Sequence, residues 1–123
     1  MDLIVAVYDA AKRFPPEERF ALTDQLRRAV VSVPSNIAEG NGRDSDRSAL
    51  QFRLIAHGSL REVETQITIA HRLGYIDDGR FLRLRACCDD TGGPLRGLIA
   101  HLRGRSEGKG IREDNPTPYD VET

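Results

Sequence analysis

The sequence predicts an all-α fold, an up-down four-helix bundle with a Pro-kinked second helix and a disordered C-terminal tail. Three observations carry this expectation. Apolar residues recur at three- and four-residue steps through four segments, no stretch alternates with the period of a half-buried strand, and the connectors are short. Short connectors make consecutive helices antiparallel neighbours. With 123 residues, 39% hydrophobic and 30% charged, the chain fits one domain large enough to bury a core.

The first helix is expected over Leu3–Phe14, where Leu3, Ile4, Val7, Ala10, Ala11 and Phe14 recur at helical spacing and Asp2 is placed as a cap. Pro15-Pro16 stops it. The second is expected over Pro16–Glu39, with Glu17 and Glu18 at its positive end and Leu22, Leu26, Ala29, Val33 and Ile37 holding the apolar phase. Pro34 cannot donate to the Val30 carbonyl. Ser32, Ser35 and Asn36 lie within reach of the freed backbone groups. Ile37 stays in phase, which favours one kinked helix over two helices split at Val33.

Gly40-Asn41-Gly42 ends that element, and Ser45 is the N-cap of a third helix over Asp46–Leu73. One stripe of it carries Leu50, Leu54, Leu60, Val63, Ile67 and Ala70; a second carries Phe52, Ile55 and Ile69. Two apolar faces exceed what a monomeric bundle needs and predict an oligomer interface. Gly74 closes the third helix, and a fourth is expected over Asp78–Arg103, with a kink or broken turn at Thr91-Gly92-Gly93-Pro94. Residues 1–103 therefore form the bundle. Residues 104–123 read as a flexible, acidic, Gly/Pro-containing tail.

Composition narrows the function classes. The apolar runs Leu3–Val7 and Ala29–Val33 are too short to span a bilayer, and no cleavage pattern follows either, so the cytoplasm is expected and a membrane partner is not. Cys87 and Cys88 are adjacent, which suits neither a disulfide nor a metal knuckle. The net charge is −1, with 16 Lys+Arg against 14 Asp+Glu over residues 1–105 and 2 against 5 beyond. Such a balance is not that of a strongly basic nucleic-acid binder.

No catalytic constellation emerges. A di-iron site needs Glu-x-x-His on two helices, yet neither His57, His71 nor His101 follows a Glu by three. Ser32, Ser35 and Ser59 have no His at helical neighbour spacing. Gly40-Asn41-Gly42 is neither a Walker loop nor a dinucleotide fingerprint. No enzyme activity, cofactor or metal is expected. The functional candidates are arginines: Arg27, Arg28, Arg43 and Arg47, with Arg53 and Arg61, as a basic patch for nucleic-acid phosphates. The plainer reading pairs Arg28 with Asp24 on an exposed helix face.

Pro34, Ser35, Asn36, Glu39, Gly40, Gly58, Ser59, Glu62 and Glu64 stand where a plain amphipathic helix would carry Ala, Leu or Lys. A packing role is expected for them, with Gly58-Ser59 admitting a close helix crossing. The blocks Ser32-Val33-Pro34-Ser35-Asn36-Ile37-Ala38-Glu39-Gly40 and Ala56-His57-Gly58-Ser59-Leu60, with Glu62 and Glu64-Thr65-Gln66, resemble the 23S rRNA intervening-sequence family of four-helix-bundle proteins. The resemblance spans about Tyr8 to Leu102. It implies a fold similar to the accessory protein of diversity-generating retroelements, hence a homopentamer with a basic surface for structured RNA or another nucleic acid. The competing expectation is a scaffold that recruits a protein partner and leaves nucleic acid alone.

Overall fold

A computed structural model describes residues 2–108, and the side chains of residues 2–105. It contains α1 (Asp2–Ala11), α2 (Leu22–Asn41), α3 (Asp46–Arg72) and α4 (Asp78–Gly108), with a single 3-10 turn at Pro16–Glu18 and no strand among the described residues. The helices form a ring in which α1 packs on α2 and α4, and α3 packs on the same two helices. Adjacent pairs run antiparallel. Asn41 and Ser32 of α2 meet Arg53 and Ser59 of α3; His71 and Asp46 of α3 meet Asp78 and Arg105 of α4; and Arg80 of α4 reaches back to Asp9 of α1.

The main core joins all four helices through Leu3, Val7, Leu26, Val30, Val33, Leu60, Val63, Ile67, Leu84 and Cys88. A second cluster, Ala49, Leu50, Ala56, Leu95, Ile99 and Leu102, belongs to α3 and α4 alone, with Ile37 of α2 against it. The division follows from length. At 1.5 Å per residue, the ten residues of α1 span about 15 Å, roughly a third of α4. The far end of the bundle lies beyond the reach of α1.

Three helix boundaries differ from expectation by three residues or more. α1 ends at Ala11, and the chain tightens through Arg13 N–H to Ala10 O (3.0 Å) and Phe14 N–H to Ala11 O (3.1 Å), which still buries Phe14. α2 starts at Leu22 and not at Pro16. Pro16–Glu18 buries no residue, so nothing apolar sustains a helix there; instead the Tyr75 hydroxyl donates to Glu18 at 2.8 Å and ties the turn to the α3–α4 junction. α4 continues five residues past Arg103, so residues 104–108 belong to the helix and not to a tail. The remainder of the expected tail, 109–123, lies outside the described residues.

α4 runs unbroken through Gly92-Gly93-Pro94, so the broken turn expected there does not form. Leu84, Cys88, Gly92, Leu95, Ile99 and Leu102 are all buried at steps of four and three, so burial carries the helix through residues of poor propensity. Gly92 is needed for close approach: a Cβ there would stand 3.1 Å from Leu60 Cδ2 and 2.7 Å from Arg96 Nη1. Pro94 is exposed, and water can reach the Asp90 carbonyl that it leaves without a donor.

α2 likewise stays one helix through Pro34. Ser35 Oγ donates to Val31 O at 2.9 Å and Asn36 Nδ2 to Ser32 O at 2.8 Å, so these side chains serve the two carbonyls after the one Pro34 vacates. Ser45 Oγ accepts from Ser48 N–H at 3.1 Å and caps α3. At the other end Gly74 adopts φ +80, with Tyr75 N–H on Ala70 O (2.9 Å) and Gly74 N–H on His71 O (3.0 Å), a Schellman closure that needs the left-handed residue.

Candidate nucleic-acid interface

The arginines singled out in the sequence fall at two ends of α2. Sixteen residues separate Arg27 from Arg43, about 24 Å of helical rise. Arg27 is half-buried, lies 5.4 Å from the Tyr8 ring, and keeps a buried Nε without a hydrogen-bond partner. Arg28 bridges Asp24 at 3.1 Å. Arg43 bridges Glu39 at 3.1 Å and covers the Phe52 ring at 4.3 Å, while Arg47 is exposed on the first turn of α3. The structure therefore does not unite Arg27, Arg28, Arg43 and Arg47 in one patch on a single chain.

Of the unusual residues of α2 and α3, Asn36, Gly40 and Ser59 take part in the contact between the two helices. Asn36 Nδ2 donates to Ser32 Oγ at 2.9 Å, and Ser32 Oγ shares a 2.8 Å hydrogen bond with Ser59 Oγ across the α2–α3 interface. Gly40 is buried where a Cβ would meet Ala49 O at 3.2 Å. Pro34 and Gly58 are half-buried, Ser35, Glu39 and Glu62 exposed, and Ser59 buried. Glu64 is half-buried and lies elsewhere, in a groove between α3 and α4.

That groove gathers charge which the sequence reading largely missed. It is shallow, about 380 Å³, and lined by Arg61, Glu64, Thr65, Thr68, Ile69 and Arg72 of α3 with Arg85 of α4. Thr65 and Thr68 donate their hydroxyls to Arg61 O (3.0 Å) and Glu64 O (2.8 Å), so the side-chain donors left for a ligand are guanidinium groups. Arg85 stands 5.8 Å from the Phe81 ring, whose face stacks on His71 at 4.2 Å. Next along α3, burial and then the charges of Arg61 and Arg96 hold His57 below its ordinary value of 6.5; Glu64 opposes them and Arg103 adds to them. Burial, followed by Glu64, pushes the Cys88 thiol up to about 12, with Arg85 acting the other way.

A periodic signal for part of this lining was present. Arg61 and Arg72 are eleven apart. At about 100° per residue that step returns within about 20° of the same helix face.

A second, larger groove of about 750 Å³ separates α1 from α4, lined by Ile4, Val5, Tyr8, Lys12, Arg83 and Cys87 among others. Its Val5 is 71% exposed. On α3, the second apolar stripe is incompletely covered, with Phe52 and Ile55 half-buried and Ile69 exposed. Among the described residues no three His, Cys, Asp or Glu side chains are placed to hold a metal ion. No described helix is long and apolar enough to cross a membrane.

The fold defines a small helical-bundle protein. The chain belongs to the 23S rRNA-intervening sequence protein family, whose model matches residues 1–97. The match spans α1 to α3 and α4 as far as Gly97, and so includes Arg61, Arg72, Arg85 and Arg96. A search of curated proteins returns no match.

Proposed function

We propose that the protein is a non-enzymatic, homo-oligomeric cytoplasmic bundle that associates with structured RNA through the arginines of its α3–α4 groove. The observation that carries this reading is the convergence of Arg61, Arg72 and Arg85 on one surface with a single lining carboxylate, Glu64. Guanidinium groups fit phosphate oxygens in bidentate fashion, and a local field of this kind acts at short range whatever the net charge of the chain. The family name, with its 23S rRNA, supports RNA as the ligand. Assembly, as a pentamer by family resemblance, would multiply weak contacts.

The decisive experiment is equilibrium binding of the full chain to a 23S rRNA fragment at increasing salt. Arg61→Ala/Arg72→Ala should weaken binding by about tenfold or more and flatten the salt dependence, because each lost phosphate contact removes about one counterion from the slope. Arg28→Ala, already paired with Asp24, should change it little. Equal losses from both variants would sink the assignment.

The apolar α1–α4 groove favours a second reading, a surface for protein contact. We assign it to self-association. Light scattering reads it directly: Val5→Glu should lower the oligomer mass, and a monomeric parent would contradict the proposal.

A further inference from the structure

Glu64 is the discordant member of the α3–α4 groove. The other ionisable side chains of the lining are Arg61, Arg72 and Arg85, which suit phosphate, and a carboxylate among them repels it. Glu64 does not neutralise any of the three by pairing with it. Among the described residues its carboxylate enters no ion pair and no hydrogen bond; only its main-chain carbonyl is engaged, by the Thr68 hydroxyl. An acceptor that this chain leaves unused stands inside a set of phosphate donors.

The surroundings fix what that acceptor can take. Glu64 is half-buried, whereas Arg61, one turn before it, and Arg85, on the facing helix, are exposed. Residues three apart on a helix hold their Cβ atoms about 5–6 Å from each other. A phosphate on Arg61 therefore has a carboxylate beside it. Thr65 and Thr68 donate their protons to Arg61 O and Glu64 O, so neither threonine hydroxyl of the lining satisfies the carboxylate.

RNA supplies the matching donor. Its ribose carries a hydroxyl on the carbon next to the one that bears the 3′-phosphate, and DNA has none there. A phosphate and a hydroxyl on neighbouring carbons meet a guanidinium and a carboxylate on neighbouring turns. The O–H to carboxylate hydrogen bond is charge-assisted and strong, and it offsets the repulsion between carboxylate and phosphate. With deoxyribose the repulsion stands alone.

We infer that Glu64 accepts the ribose 2′-hydroxyl next to a phosphate held by Arg61 and Arg85, and that this contact makes the groove select RNA over DNA. The inference rests on the RNA reading above and adds the residue that tells the two nucleic acids apart. Asp89, one turn past Arg85 on the same face of α4, is an exposed carboxylate outside the lining. It opposes phosphate and takes no part in the choice of sugar.

Fluorescence anisotropy of the full chain, at one fixed salt concentration, tests the contact with a single 23S rRNA sequence in three forms. These are RNA, DNA and 2′-O-methyl RNA, which keeps the ribose and loses the donated proton. RNA is expected to bind at least about tenfold tighter than either of the others, the order of one hydrogen bond to a charged group. Glu64→Ala should raise DNA affinity and bring the three affinities within about twofold of one another, because acceptor and repulsion leave together. Asp89→Asn should strengthen all three alike and leave their ratios unchanged. Circular dichroism checks that each variant folds, and the 2′-O-methyl probe on the parent chain tests the contact without any substitution.

An RNA preference that survives Glu64→Ala, or one that Asp89→Asn abolishes equally, would overturn the role of Glu64 and leave the RNA reading standing. Equal binding of the three probes by the parent chain would overturn the inference and leave the arginines as sites for phosphate alone. Binding of none of them would overturn both readings.

Discussion

Ser32 and Ser59 share a 2.8 Å hydrogen bond across the α2–α3 interface, and Asn36 adds its amide to the same Ser32 oxygen. Two hydroxyls in contact bring the helices closer than two leucines would. Polar residues in the middle of both helices thus find their partners in each other, and the residues surrounding Pro34 become a fastening between elements.

Ser59→Ala should cost about 0.5–1.5 kcal/mol, because Ser32 keeps its Asn36 bond while losing one partner. Ser59→Leu should cost more, about 1–3 kcal/mol or above, since the side chain has no room at this crossing. Urea unfolding followed by circular dichroism gives both values. A Leu variant as stable as the parent would refute the close packing.

Gly92 and Gly97 should respond oppositely to alanine. Gly97 has nothing within 4 Å of its virtual Cβ and is exposed, so Gly97→Ala should stabilise α4 by up to about 1 kcal/mol. Gly92→Ala gains the same propensity but pushes Leu60, a fully buried core residue. The Arg96 tip can swing aside; Leu60 cannot do so freely. Gly97→Ala should therefore melt higher than Gly92→Ala by several degrees, about 1 kcal/mol in a chain of this size. The reverse order would contradict the α3–α4 geometry.

Cys88 should be inert to thiol reagents in the folded chain, and Cys87, half-buried at the α1–α4 groove, should react first. The pH dependence has a definite sign. The Cys88 thiol rises from an ordinary 9.0 to about 12, so folding favours its protonated form. That contribution is fully present below pH 9 and is lost as pH climbs toward about 12. Cys88→Ala should flatten this part of the alkaline stability profile. An unchanged profile would show that Cys88 does not drive it.

Arg27→Ala should act on stability more than on RNA. Its guanidinium lies on Tyr8 and its Nε is buried, so the loss is of packing between α1 and α2, about 0.5–1 kcal/mol. A thermal melt and one RNA titration distinguish the two effects.

The architecture was legible because it rests on phase. Leu22, Leu26, Ala29 and Val33 are buried along one face, and Ser45 and Gly74 mark the ends of α3 as local chemistry requires. The start of α2 was misplaced because Glu17 and Glu18 favour a helix locally, whereas the first buried anchor is Leu22. Gly92-Gly93-Pro94 misled for a similar reason. Propensity is a local property, while the burial of Leu95 and Ile99 that overrides it is tertiary. The groove was hardest to see. Arg61 could be named alone, but Arg85, which shares its groove, is 24 residues away, and only the register of two helices brings them together.

Gly92 finally links two quantities usually treated as independent. The missing methyl that lets α4 settle on Leu60 also sets the gauge at which Arg61 and Arg85 face each other across the groove. A volume change at residue 92 is therefore transmitted outward as a change in charge spacing. Core packing and surface electrostatics become two readings of one interhelical distance.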